Sequence, residues 1–383
     1  MTTQLSRRQL MLSGAGSALV TACLSGCDLL STRPENRPDE RPVRAGDRSR
    51  EAPMLARKVK AGKLPALADR LPTRPLAVEP VESAGVYGGT WNTALLGPAD
   101  TPWLDKTVHY DCLMRWKPDF SEPIPNIAES VDVGGGGRTY TFHLRPGMRW
   151  SDGEPFTADD ILFAVEDVLL NEELSPVPPG WLVSGDDPAE VTAPDDATVR
   201  FSFAQPNGLF LQNLASLLGT PLTAHPRHYC ERFHQAYDEG VAATAEEEGF
   251  ADWTELFLAR TSAAANPELP SLFAWVYTTT LGTGNQMVAE RNQYYWKTDP
   301  DGRQLPYLDR VVFDIVQNDQ VILLKASNGE FGMHARHINT LRNKPVLARN
   351  RKRGGYAFFD LVPSIMNDLL VQLNLAHEDD ALR

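Results

Sequence analysis

A mixed α/β (α+β) chain with more than one lobe is the fold this sequence predicts, on three observations. Alternation at Tyr140, Phe142 and Leu144, and again at Val199, Phe201 and Phe203, has the period of two of strands with one buried face. Thr157 followed by Asp160 forms a capping box ahead of an apolar stripe at Ile161, Ala164, Val165, Val168 and Leu169, which marks a helix. Strands and helices then succeed one another without a regular repeat, and 383 residues are enough to bury a sizeable core in two or three lobes.

Composition narrows the class. With 42% hydrophobic and 23% charged residues the chain is neither wholly disordered nor a multi-span membrane protein. The formal charge of −13 is unevenly spread: residues 1–75 hold 14 Lys+Arg against 7 Asp+Glu, a net of +7, which leaves −20 for the remainder. A folded part this acidic excludes nucleic acid as a partner, because phosphates demand the opposite sign.

The amino-terminal stretch has the features of an export signal. Arg7 and Arg8 form a twin arginine before the uncharged run Leu12–Gly26, which is too short and too rich in Gly, Ser and Ala to span a bilayer stably. It ends in Leu24-Ser25-Gly26-Cys27, similar to the bacterial lipobox, where the cysteine is lipidated and becomes the mature amino terminus. Cys27 is therefore expected to be a lipid anchor, with an ordinary cleaved signal and an incidental cysteine as the alternative. Cys23 would leave with the signal, and Cys112 and Cys230 are expected as two unpaired thiols, since a chain this long needs no staple.

Residues 28–80 are Pro- and Arg-rich with scarcely an apolar cluster, which predicts a flexible tether. Folding is expected to begin near Tyr87, with a first strand at Thr90–Leu96. The glycine run Gly134–Gly137 leads into a strand rather than a helix, so it is expected to be a hairpin loop and not a phosphate cradle. Further on, the pattern predicts a strand at Thr198–Ala204, helical stretches at His228–Tyr237 and Ala251–Arg260, and a strand at Val311–Val316. A helix over Gln320–Asn328 ended by Gly329 and a last strand at Leu370–Ala376 complete the series.

Few residues suggest chemistry. His225, His228, Cys230 and His234 are of metal-binding types, but His228 and His234 lie six apart, off a common helical face, and Pro226 interrupts the segment. Glu246–Glu248 form a solvated helix face, and Asp159 with Asp160 begins a helix rather than forming an acid/base pair. No GxSxG, HExxH, Walker loop or CxxC occurs. Of Trp103, Trp116, Trp150, Trp181, Trp253, Trp275 and Trp296, all are expected in the core except Trp275, which sits in a loop-like stretch and is the candidate ligand-binding residue.

The segments YDCLMRW (110–116), PNIAES (125–130), RTYTFHLRPGMRWSDGEPFTADD (138–160), GTG (282–284) and RNQYYWK (291–297) together resemble the family 5 extracellular solute-binding proteins of ABC importers. LPALADRLP (64–72) and TDPDGRQLPYLDR (298–310) resemble a large-chain branch linked to peptide or oligosaccharide uptake. The resemblance implies a periplasmic-binding-protein-like fold of two lobes closing on ligand, with an extra subdomain on the first. It divides the chain into an export signal (1–27), a tether (28–80), a first lobe with its subdomain (87–317) and the start of a second lobe (318–383). Family members usually run past 500 residues, so the second lobe is expected to be incomplete, leaving an exposed apolar seam.

The same resemblance implies a monomeric, lipid-anchored receptor in the periplasm or on the outer face of the cytoplasmic membrane. It would deliver oligopeptides, or oligosaccharides, to an ABC permease, with no cofactor, no metal and no catalytic residue. Two other functions stay open on the residues: a secreted metal-dependent enzyme using the His225–His234 cluster, and a non-transporting surface lipoprotein.

Overall fold

The structure, a computed structural model, describes residues 50–357 and 359. The expected signal residues Arg7 and Arg8, the anchor Cys27 and the strand at Leu370–Ala376 lie outside the described residues. The first elements among the described residues are α1 (Pro53–Lys60), α2 (Leu67–Arg70) and β1 (Leu76–Ala77). They correct the expectation of a tether reaching residue 80. Leu55 and Leu64 are buried with Tyr87 and Tyr294, and Leu76 and Ala77 pair in parallel with Lys297 and Thr298. The reason is Arg70, whose side chain is fully buried. It donates to Gln304 Oε1 at 2.9 Å and to the backbone carbonyls of Gln293 and Pro65, and it pairs with Glu51. A charge that looks like tether composition is thus the anchor of the segment.

β2 (Thr90–Leu95) and α3 (Thr101–Thr107) precede a small hairpin of β3 (Met114–Trp116) and β4 (Pro123–Pro125). β5 (Ala128–Gly134) and β6 (Thr139–Leu144) are joined by the glycine run, where Gly135, Gly136 and Gly137 take φ of 57°, 66° and 86°, conformations that side chains rarely adopt. The run is a hairpin loop, as its sequence position predicts. α4 (Ala158–Phe163) starts where expected, with the Asp160 carboxylate accepting from the Thr157 backbone N–H at 2.8 Å, and continues into a π-helical turn over Ala164–Leu169. Ile161, Ala164, Val165, Val168 and Leu169 are all buried.

β7 (Val183–Ser184) and β8 (Asp187–Pro188) form a minimal hairpin before β9 (Glu190–Asp195) and β10 (Thr198–Ser202) complete an antiparallel sheet of order β5-β6-β10-β9. α5 (Phe210–Leu214) closes that sheet, and Phe210 sits among Tyr140, Phe142, Phe201 and Phe203 with ring centroids 4.9–6.2 Å away. α6 (Arg227–Cys230), α7 (Val241–Glu248) and α8 (Trp253–Arg260) build a separate cluster around Tyr229, Phe233, Leu256 and Phe257. The helix expected over His228–Tyr237 is shorter, because His234 is extended and only a 3₁₀ turn (Glu231–Phe233) comes after α6.

β11 (Trp275–Tyr277), β12 (Gln286–Arg291), β13 (Lys297–Thr298) and β14 (Arg310–Ile315) come next. The second four-stranded sheet has the order β11-β12-β14-β2, in which β14 pairs in parallel with β2 from Arg310↔Thr90 to Ile315↔Leu95. α3 lies in this sheet's core cluster through Leu104. α9 (Asp319–Ser327) and α10 (Lys344–Gly354) are the last elements among the described residues, with Gly329 at φ 75° just past α9. Among the described residues no helix is long and apolar enough to cross a membrane.

Candidate ligand-binding site

Two cavities draw on the same pair of elements, α3 with the segment after it and the edge strand β11. The larger, of about 430 Å³, is lined by Tyr110, Arg115, Trp275, Tyr295 and Tyr307 among others. Trp275 is therefore on a strand, pairing with Arg291, and not in the loop its surroundings predict; a three-residue edge strand is too short to show alternation. Its ring meets Trp91 edge-on at 6.5 Å, and its indole Nε1 is buried without a partner.

The polar floor of this cavity is internally satisfied. Asp111 takes hydrogen bonds from Tyr295 Oη at 2.8 Å and Asn126 Nδ2 at 3.1 Å, and forms a buried ion pair with Lys297. Burial lowers the Lys297 pKa and the Asp111 charge pulls it back up; burial also drives the Tyr295 phenol well above its ordinary value, with Asp111 adding to the effect. Arg115 lies over the Tyr110 ring at 5.3 Å and pairs with Asp111 at 3.4 Å while its side chain stays half-exposed, and Lys106 is in the same lining. Asp111 joins three segments distant in sequence, which rigidifies the floor.

The smaller cavity, of about 210 Å³, is lined by Leu104, Asp105, His109, Phe273 and Tyr277, with Thr220 and Ser262 also in its wall. His109 lies between Phe273 at 4.8 Å and Tyr277 at 4.5 Å, and burial pushes its pKa down to about 3, so the ring is neutral. Sequence reasoning missed Asp105, His109 and Tyr277, because none sits in a local motif.

The remaining candidates fall apart from one another. His225 Nδ1 bonds the Pro221 carbonyl at 2.8 Å, His228 Nε2 bonds Asp152 at 2.8 Å, His234 Nε2 bonds the Asp167 carbonyl at 3.1 Å, and Cys230 is a buried free thiol. Among the described residues no three His, Cys, Asp or Glu side chains gather into a metal-binding group. Cys112 is likewise buried and free, its Sγ 3.2 Å from the Ser216 carbonyl. Trp150, Trp181, Trp253 and Trp296 are core residues, and Trp103 and Trp116 are partly buried against the cores.

Residues 122–371, more than half of the chain, match the bacterial extracellular solute-binding proteins, family 5 middle. The solved structure of an oligopeptide-binding protein OppA is 40% identical with a TM-score of 0.76, over 80% of this chain and 48% of that one. The periplasmic binding protein MelB of Agrobacterium fabrum C58, solved with stachyose, is 28% identical with a TM-score of 0.59, over 76% of this chain and 44% of that one. The periplasmic alpha-galactoside-binding protein of Rhizobium meliloti (strain 1021) is 31% identical over 277 residues, 67% of this chain and 38% of the relative. The chain thus spans less than half the length of these relatives.

Proposed function

This chain belongs to the bacterial extracellular solute-binding proteins, family 5, and from that membership we propose that it is the solute-binding component of an ABC importer, taking up an oligopeptide. The likeness to an oligopeptide-binding protein across 80% of the chain carries this reading. The likeness to MelB bound to stachyose and to an alpha-galactoside-binding protein supports a second one, in which the solute is an oligosaccharide.

In either case the work is capture and release, with no covalent step and no cofactor. The first lobe and its subdomain begin with α1 and extend to residue 317, the second lobe begins at residue 318, and the ligand favours the closed state by binding it more tightly than the open one. Trp275, which lines the larger cavity together with Arg115, supplies a flat apolar face to the ligand there. Arg7 and Arg8 direct export and Cys27 carries the lipid, which keeps the protein at the outer face of the cytoplasmic membrane as a monomer beside its permease.

The experiment is a thermal-shift and tryptophan-fluorescence titration of the 383-residue chain against tripeptides and α-galactosides. Saturable stabilisation that weakens in Trp275→Ala supports the proposal. A chain that responds to neither class overturns it.

A further inference from the structure

The charge of this chain is sharply divided along its length. Residues 76–330 hold 15 Lys+Arg against 38 Asp+Glu, a net of −23, whereas residues 331–357 hold seven Lys+Arg and no Asp or Glu. One of the seven has a structural role. Arg336, with His337, pairs with the buried Asp100, and the Gly332 N–H donates to the Asn92 carbonyl at 2.9 Å, which ties this segment to β2 and the turn after it. Arg342, Arg349, Arg351, Lys352 and Arg353 have no such role. All five are exposed, and none forms an ion pair with a described residue; Arg353 adds only a 3.3 Å hydrogen bond to Asn328.

α10 sets these charges on an outward face. Leu347 is its one buried residue and packs with Ile322 and Ile338. Val346, Arg349 and Arg353 recur at i, i+3 and i+7 on a stripe turned away from Leu347, and Lys352 lies one turn from Arg349. Attraction to the helix C-terminus accounts for cations in the last turn, but Arg342 precedes the helix and Arg349 lies before that turn. Aliphatic side chains stand among them: Leu341 is 88% exposed and Val346 40%. A cationic helix face bordered by exposed aliphatic groups matches the boundary between anionic headgroups and acyl chains. We infer that residues 341–353 form a contact surface for an anionic phospholipid bilayer. The net negative charge of residues 76–330 is repelled by such a bilayer, so it turns the molecule until α10 faces the lipid. A second copy of this chain also carries negative charge, but a contact between its acidic surface and α10 is head-to-tail and leaves both ends open to further copies. The surface is independent of the solute and of the lipid proposed at Cys27.

The test uses the 383-residue chain carrying Cys27→Ser, so that no acyl chain contributes, in flotation with vesicles of phosphatidylcholine alone and of equimolar phosphatidylcholine and phosphatidylglycerol. Binding to the anionic vesicles alone is expected, and its loss at about 0.5 M salt. Arg349→Glu/Lys352→Glu/Arg353→Glu is expected to lower the partition coefficient at least about tenfold, and Leu341→Ser by a smaller factor. Arg349→Lys/Arg353→Lys is expected to retain binding within about threefold, which separates lost charge from lost folding. Residues 1–75 carry a net of +7 and supply the control. Arg37→Glu/Arg41→Glu/Arg44→Glu makes the same change in net charge there and is expected to keep binding within about threefold. Binding of neither vesicle, equal binding of both, or a loss from the amino-terminal variant as large as that from the α10 variant overturns the surface. Salt-sensitive self-association in ultracentrifugation, abolished by the α10 variant while vesicles stay unbound, overturns it in favour of a second copy.

Discussion

Replacing Lys297 with Met tests whether the Asp111 junction holds the floor of the larger cavity together. Lys297 and Asp111 side chains are 4% and 5% exposed, so the substitution leaves a buried carboxylate with the half-exposed Arg115, 3.4 Å away, as its remaining cation. Breaking a buried pair in this way costs about 3–5 kcal/mol. The lower end applies here, about 3 kcal/mol, because Tyr295 Oη, Asn126 Nδ2 and the Arg115 guanidinium still donate to Asp111. At about 2 °C per kcal/mol for a chain of this size, Tm should fall by about 6 °C in calorimetry. The double variant Asp111→Asn/Lys297→Met removes the stranded charge, and Met can pack over Trp296, whose ring lies 4.7 Å from the Lys297 Nζ. It should recover part of the loss. A single variant that costs less than about 1 kcal/mol, or a double variant less stable than the single, would refute the reasoning.

Other positions give equally direct outcomes. Phe210→Ala, at the centre of an aromatic cluster whose nearest rings are 4.9 Å away, should cost about 3–5 kcal/mol in urea unfolding, and a cost below about 1 kcal/mol would contradict that packing. Burial opposes charge on His228, but the hydrogen bond and charge of Asp152 outweigh it and raise its pKa; Asp152, also partly buried, is lowered by His228 and by backbone donation. The stability this pair adds is present between roughly pH 4 and pH 6.5. It is lost as pH rises through the raised His228 value or falls through the lowered Asp152 value. His228→Gln should therefore lose stability mainly inside that window, and a loss independent of pH would count against the pair. Burial pushes the Cys112 thiol up to about 12 and Cys230 well above its ordinary value. A thiol reagent at pH 8 should miss both in the native state and reach both in denaturant, and rapid native labelling of either would show the burial to be wrong.

The legible parts of the fold are those whose cause is local. β6 announces itself because Tyr140, Phe142 and Leu144 alternate against a single buried face, and α4 because Thr157 and Asp160 cap it within one turn. Arg70 misleads because its partners Gln293 and Gln304 come from more than 200 residues later, so nothing near it distinguishes an anchor from tether charge. Trp275 is legible as an unusual tryptophan but not as an edge strand, since its strand is defined by Arg291 and Ala289 across the ladder. The smaller cavity is invisible in the sequence for the same reason: Asp105 and Tyr277 meet only after β11 joins the sheet that begins with β2.

Reversible solute capture without chemical change is the function proposed for this chain. Calorimetric titration of the 383-residue chain with a tripeptide and with stachyose, together with mass spectrometry of the recovered ligand, measures it most directly. Saturable one-to-one binding of one class is expected, weakened by Trp275→Ala, with the ligand recovered intact. Binding of neither class, or recovery of a cleaved product, would contradict it.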